Sequence, residues 1–304
     1  MGAASIDLSQ VRHPRERRVV ILSVAANLAI VAAAVAVILL APGWLSSHPR
    51  AAAAMARVRL VALAAVLVLP LLGFLRLARW MLIHENAVRA GPDQLPQLHE
   101  VLRRQCRTLG IAEPALYVTT LSSVGLSDAI ALGRDGPRAI VLGDRLFGGL
   151  DGLEARRDVF AFVLAHELGR IVLGHASWRS ELLAGYLKRI PVLRLPLVRV
   201  QTYSRDLFAA RLAPEGVRGL IVSACGGEIL DHVGVAAFLR DALAPPPRSL
   251  AARVAAMARK EPHVAERLRE LHRHGLLAVE AKLRTGDEDP GERTQAIAPR
   301  GSPA

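Results

Sequence analysis

Two long apolar runs near the N-terminus are followed by shorter segments in which apolar and polar residues alternate with helical or strand periods. Val19 to Leu40 is apolar throughout except for Ser23 and Asn27. About 20 apolar residues at ~1.5 Å each cross a bilayer core, so this run predicts a transmembrane helix. It is too long for the apolar region of a secretory leader, and no small-residue cleavage site follows it before Trp44. A second run covers Val58 to Ile83. Its uncharged centre, Leu60 to Leu75, is short, but Arg59, Arg76 and Arg79 can extend their heads to the interface, and Pro70 can kink it. Trp44 and Trp80 stand where interfacial aromatics are expected.

Beyond His84 the pattern is that of a globular domain. Pro96 to Leu109 is amphipathic at helical spacing and closes at Gly110. Ala115 to Thr120, Ala129 to Leu132 and Ala139 to Leu142 read as strands, the last two split by the turn Gly133-Arg134-Asp135-Gly136. Asp151 to His175 reads as a largely buried helix, with Asp151 and Glu154 in a capping-box pattern. Ser177 to Arg199 is apolar but carries five basic residues and is broken by Pro191 and Pro196. Those charges make a third span costly, and an amphipathic segment at the membrane or over the site is expected. Helices follow over Val198 to Leu212, Val217 to Leu230, Val233 to Leu243, Leu250 to Lys260 and His263 to Leu277. The expected layout is a basic cytoplasmic tail (1–18), transmembrane helix 1 (19–41), an external loop (42–56), transmembrane helix 2 (57–83), a domain (84–283) and a disordered tail (284–304). The fold class is α+β, mainly helical, with a small β-sheet.

The formal net charge of +12 suits nucleic acid or an anionic membrane surface. No basic run is interleaved with stacking aromatics, which argues against nucleic acid and leaves the lipid bilayer as the partner. Arg12, Arg15, Arg17 and Arg18 precede the first span, and Arg76 and Arg79 leave the second, against Arg50 and Arg57 between them. That asymmetry places both ends in the cytoplasm, as a multi-pass protein of the inner or cytoplasmic membrane whose domain faces the cytoplasm. Cys106 and Cys225 form no CxxC pair and read as reduced thiols.

Candidate chemistry lies in the central helix. His166 and Glu167 begin an HExx sequence, but the residue four after His166, where a second His would share the metal on one helical face, is Arg170. A guanidinium keeps its proton and offers no lone pair to a metal.

Four stretches carry a resemblance: DAIALGRDGPRAIVLGDRLF, with Asp128 where an Asn is usual, AFVLAHELGRIVLGH, TYSRDLFAA and KEPHVAERLREL. In this order they resemble the HtpX-type integral-membrane zinc metallopeptidases, the group of metallopeptidase family forty-eight that also holds the CAAX prenyl proteases. KEPHVAERLREL is similar to that family's His-Pro-x-x-x-x-Arg-Ile pattern. The resemblance implies a zincin-like (gluzincin) domain. It also implies a zinc ion held by both His of HExxH and a Glu on a second helix, with an Asp four residues after that Glu supporting a ligand His. Carried over, His166 is the one ligand position retained and Glu167 the general-base position. Arg170 and Thr202 stand where ligands are lost, and Asp206 keeps the supporting acid. His175, nine residues after His166, faces away on a straight helix. Gly174 could swing it back as a substitute ligand; otherwise it caps the helix or supports the site. Glu181 and Glu228 have no motif spacing.

Zinc would sit beside the charge of Arg170, and one pair of like unit charges at ~4 Å costs about 4 kcal/mol at an effective dielectric of about 20. The expectation is that zinc, the family's cofactor, is not bound here. Arg170 would replace it as counter-charge to Glu167, and to Asp206 also; the alternative is that Arg170 reaches solvent. Two functional readings follow. The first is an inactive pseudopeptidase that binds or regulates, gripping an extended peptide or a membrane-protein client along the strand near Ala129 to Leu132. The second is an active zinc endopeptidase of membrane protein quality control with non-standard ligands.

Overall fold

The computed structural model describes residues 7–47, 52–121, 127–131, 138–147, 156–186, 188, 190–245, 249 and 261–277. The expected turn at 133–136, the capping residues Asp151 and Glu154, the helix at 250–260 and the C-terminal tail lie outside these residues. A short helix α1 (Leu8–Val11) leads into two long ones, α2 (Glu16–Ser47) and α3 (Ala52–Asn86). Both are long and apolar enough to cross a membrane. Leu22, Leu39, Leu40, Val61 and Leu67 are each more than 60% exposed, an apolar surface that water does not favour and lipid does. The helices run further than the loop expected at 42–56. Pro42 lies within α2, and α3 begins at Ala52. A helix is set by its backbone hydrogen bonds and a span by its apolar length, so the two need not share ends.

The domain opens with β1 (Val88–Ala90), a strand too short to show a period in the sequence, and α4 (Pro96–Leu109). Pro96 loses no helical bond at the first turn, and Gly110 at φ 64° closes α4 in the left-handed region. Leu98, Val101, Leu102 and Cys106 form its buried stripe. Strands β2 (Ala115–Thr119), β3 (Ser127–Ala131) and β4 (Arg138–Gly143) complete a sheet in the order β1-β2-β4-β3. The β2–β4 pair is parallel and the outer pairs are antiparallel. The two-residue period of β4 decides what each face covers. Ile140 and Leu142 enter the main core, while Ala139 and Val141 meet Ile83 at the end of α3. Trp80 packs edge-on against Tyr117, with ring centroids 5.9 Å apart. The sheet is therefore seated on the end of the second apolar helix.

Helix α5 (Arg157–Val172) is buried along most of its length and lies between α4, the sheet and the later helices α7 (Pro191–Leu212) and α8 (Arg218–Cys225). Phe160, Phe162, Leu164 and Leu168 fill the space around it with Phe208 of α7 and Leu220 of α8. Helix α9 (Val235–Leu243) and helix α10 (Val264–Arg273) close the domain. The helix expected to run from Val217 to Leu230 stops at Cys225, because Gly226 turns the chain at φ 76°.

The segment after α5 departs from expectation. Pro191 starts α7 rather than breaking it, and Pro196 is accommodated inside it. Between α5 and α7, helix α6 (Trp178–Leu183) packs against both α2 and α3. Asn27, 2% exposed, donates from Nδ2 to Leu182 O at 3.2 Å and accepts from Tyr186 N at 3.0 Å. The Tyr186 hydroxyl donates to Ala65 O. Asn27 lies eleven residues beyond Glu16, roughly 16 Å along the helix at ~1.5 Å per residue. The segment around α6 is thus held against both apolar helices, with two of its backbone groups met by the one amide side chain of the first run.

Gly216 marks the tightest approach to α5. A Cβ there would stand 2.2 Å from Asp158 O and 2.9 Å from Phe162 Cβ. Backbone cannot yield as a side-chain tip can, so Gly216→Ala should cost on the order of 2 kcal/mol. A thermal melt of the detergent-purified variant should shift down by several degrees; an unchanged melting temperature would contradict this packing.

Candidate functional site

The site forms where α5, α7 and α10 cross, with the start of β3 over it. Helix α5 presents His166, Glu167 and Arg170; α7 presents Thr202, Arg205 and Asp206; α10 presents Arg267. Gly169 lets α5 and α7 approach closely, since a Cβ there would lie 2.9 Å from Phe208 Cδ1.

His166 and Asp206 are brought together. Asp206 Oδ1 lies 2.8 Å from His166 Nδ1, and both residues are buried. A carboxylate only accepts, so Nδ1 carries the proton and Nε2 keeps the lone pair. Burial lowers the pKa of His166, Arg205 lowers it further, and both outweigh the pull of Asp206, so the ring is neutral at pH 7. Asp206 is held far below the usual carboxylate range. Burial alone would raise it, but the charge and hydrogen bonds of Arg267 and the bond from His166 prevail. Arg267 grips it bidentately, Nε to Oδ2 at 2.7 Å and Nη2 to Oδ1 at 2.6 Å.

Glu167, 3% exposed, accepts from Ser127 Oγ at 2.8 Å through Oε1. Its Oε2 lies 3.7 Å from Arg170 Nη1 and has no hydrogen-bond partner. The predicted pairing of Arg170 with Glu167 is present in this loose form. Asp206, the second acid considered for Arg170, is held by Arg267 instead. Thr202 is fully buried, and its Oγ1 accepts from Arg205 Nη2 at 2.7 Å. The buried cation at that place is therefore Arg205, a residue of α7 itself.

Glu261 stands at the exposed rim, just before α10. Desolvation would raise its pKa, but the charges of Arg205, Arg267 and Arg170 hold it below the ordinary value. Three guanidiniums, those of Arg170, Arg205 and Arg267, thus face three acids, Glu167, Asp206 and Glu261, around one neutral imidazole. Among the described residues no three His, Cys, Asp or Glu side chains converge as a metal-binding group.

His175 is turned elsewhere. Gly174 at φ 80° ends the helix, and His175 Nε2 meets Glu16 Oε1 at 2.9 Å. Glu16, at the first turn of α2, also accepts from Arg12 Nη1 at 2.6 Å and from the Ser204 hydroxyl of α7. Arg12 reaches Leu173 O at 3.0 Å, and Val11 is buried in the main core. The described part of the tail, from residue 7, is docked on the domain rather than free in solvent. Glu228 is exposed, and the side chain of Glu181 lies outside the described residues.

Sequence reasoning missed Arg205, Arg267, Glu261 and Glu16. Arg267 had a signal, since it falls five residues after Pro262, at the Arg of the His-Pro-x-x-x-x-Arg-Ile pattern, which also puts Glu261 at the His. Arg205 had only its i+3 spacing from Thr202. Glu16 had none.

Residues 92–188 match the sequence profile of Peptidase family M48. The matched stretch holds α4, strands β2 to β4, α5 and the HExxR sequence, so this third of the chain is similar to that family's peptidase domain. It ends before α7 and α10, which carry Thr202, Arg205, Asp206 and Arg267. No curated protein and no solved structure matches the chain.

Two predictions follow from these geometries. Arg267→Ala strips a buried carboxylate of its partner and should cost about 3–5 kcal/mol, whereas Arg170→Ala breaks a partly exposed 3.7 Å pair and should cost ~1 kcal/mol or less. Melting temperatures that ranked the two variants the other way would make Arg170 the principal buried cation. Second, burial lowers the pKa of His175 to about 4 from 6.5, against the pull of Glu16. Between those values the unfolded chain takes up a proton at this position and the folded chain does not, so stability falls as pH falls through that window. His175→Gln keeps a donor for Glu16 and cannot titrate. Its melting temperature should depend less steeply on pH between 6.5 and 4, and an identical slope would count against this assignment.

Proposed function

We propose that this chain is a membrane-anchored, HtpX-like peptidase homologue that has exchanged zinc hydrolysis for a binding or regulatory role. The observation that carries the reading is the state of the places where metal ligands would stand. Arg170 is a permanent cation, Thr202 Oγ1 is engaged by the guanidinium of Arg205, and His166 Nε2 is left as the one neutral donor. Zinc needs three or four donors that can be deprotonated or are neutral imidazoles. A donor set of one imidazole beside two guanidiniums does not fit it, and the three arginines balance the three acids without it. Asp206 keeps its supporting contact to His166, and Glu167 stays buried in the general-base position, so the frame of a zincin-like (gluzincin) site persists around a different chemistry.

What such a site retains is a sheet edge beside it. Strand β3 lies at the edge of the sheet and adjoins α5, with Ser127 bonded to Glu167. An extended peptide added alongside β3 would run over that pair, bound through its backbone rather than cut. The apolar α2 and α3 anchor the domain in the bilayer, with both ends in the cytoplasm by the arginine asymmetry. The α6 segment, fixed to Asn27 and Ala65, dips into the same layer, and the client is a segment of a membrane or membrane-associated protein.

The metal content of the full chain tests this. Purified in detergent, the wild type should hold well under one zinc per chain, and chelator should leave it unaltered. Arg170→His with Thr202→Glu should still bind weakly while Arg205 occupies the site. Adding Arg205→Ala should bring zinc to one per chain. Stoichiometric zinc in the wild type, lost with chelator together with casein cleavage, would establish the working endopeptidase in place of this reading.

A further inference from the structure

A second feature lies away from the HExxR site. A cavity of about 840 Å³ opens between the first turns of α2, the N-terminal half of α7 and helix α10. One side of it is apolar, built by Val19, Leu195, Pro196 and Val200; the other carries Arg15, Arg199, Arg269 and Arg273. Val19 is followed by Ile21 and Leu22, 56% and 68% exposed, so the apolar side continues into the bare apolar surface of α2. The cavity thus spans the level at which the apolar helix meets the charged domain.

The acids in the cavity are already engaged. Glu270 is in contact with Arg273 and lies 3.5 Å from His13 Nε2 and 3.4 Å from His274 Nε2. Glu266 lies 3.7 Å from Arg199 and accepts from the Tyr203 hydroxyl at 3.5 Å. Arg269 is fixed by Nε to Ala242 O at 2.9 Å, which holds its stem in place. Four arginines against two glutamates leave a positive surplus at the rim of an apolar hollow.

We propose that this cavity binds one anionic phospholipid, its phosphodiester among Arg15, Arg199, Arg269 and Arg273 and its upper acyl chain on Val19, Leu195 and Val200. A basic rim alone would suit any phosphate. The apolar half has no use for an inorganic ion but matches a chain that continues along α2, and basic residues beside the end of a membrane helix attract an anionic headgroup. A lipid seated there would touch α2, α7 and α10 together, and so the helices that carry Asp206 and Arg267. The proposal does not depend on whether the HExxR site hydrolyses peptides.

The test uses the full chain in neutral detergent, titrated with phosphatidylglycerol, phosphatidylcholine or inorganic phosphate, with bound lipid counted by native mass spectrometry. Phosphatidylglycerol should bind at one per chain and at least tenfold more tightly than phosphatidylcholine. Arg15→Gln with Arg273→Gln should weaken it about thirtyfold, as expected when each arginine near a lipid headgroup is worth about fivefold. Arg17→Gln with Arg18→Gln removes the same charge outside the cavity and should leave the affinity unchanged. Arg15→Lys with Arg273→Lys keeps charge and should retain most of it. Equal losses in the two glutamine pairs, or loss in the lysine pair, would overturn the site as a specific one. Displacement of the lipid by an equal concentration of inorganic phosphate would overturn the lipid as its occupant.

Discussion

The contact on which the domain's centre depends is the grip of Arg267 on Asp206, with His166 bonded to the same carboxylate. It joins three helices that are distant in sequence at one buried point, and it fixes the protonation of all three groups. Asp206 must be ionised to hold two donors, Arg267 cannot be neutral, and the imidazole between them is kept neutral by burial and by Arg205. Ions taken out of water cost several kcal/mol each unless they are well paired. Asp206 has its guanidinium in Arg267 and Glu167 a looser one in Arg170, so each of the two buried acids meets a cation of the chain itself.

The same cluster is tied to the apolar helices by three separate contacts. Glu16, at the foot of α2, holds His175 at the end of α5 and Ser204 on α7, one residue from Arg205 and two from Asp206. Ile83 and Trp80, at the end of α3, cover the sheet that ends over Glu167. Asn27 and Ala65 hold the segment that enters α7. Helix α7 therefore runs from the level of the apolar helices to the charged site as one helix. The cavity beside Val19 lies on that route.

Much of the fold was legible from residue periods, and the failures have particular causes. Pro96 to Leu109 reads as a helix because its stripe, its proline and its glycine agree, and those are its ends in the structure. The apolar run Ala139 to Leu142 beside a turn reads as a strand, but does not show that its two faces meet different partners, since an apolar residue looks the same whichever core it enters. Pro191 reads as a breaker, yet a proline at the first turn of a helix costs nothing; which of the two roles it takes depends on where the chain has turned. Val88 to Ala90 is too short to carry a period at all.

The chain alone determined that His166, Glu167 and Arg170 share a helical face, that a guanidinium stands where a second metal-binding His would, and that two apolar runs precede the domain. Those follow from spacing and from the chemistry of the side chains, which hold in any fold. Only the tertiary structure decided which cation meets which acid. Thirty-nine lysines and arginines are interchangeable to a reader of sequence. Burial and distance, set by how α5, α7 and α10 cross, single out Arg205 at Thr202 and Arg267 at Asp206, and leave Arg170 the looser contact to Glu167.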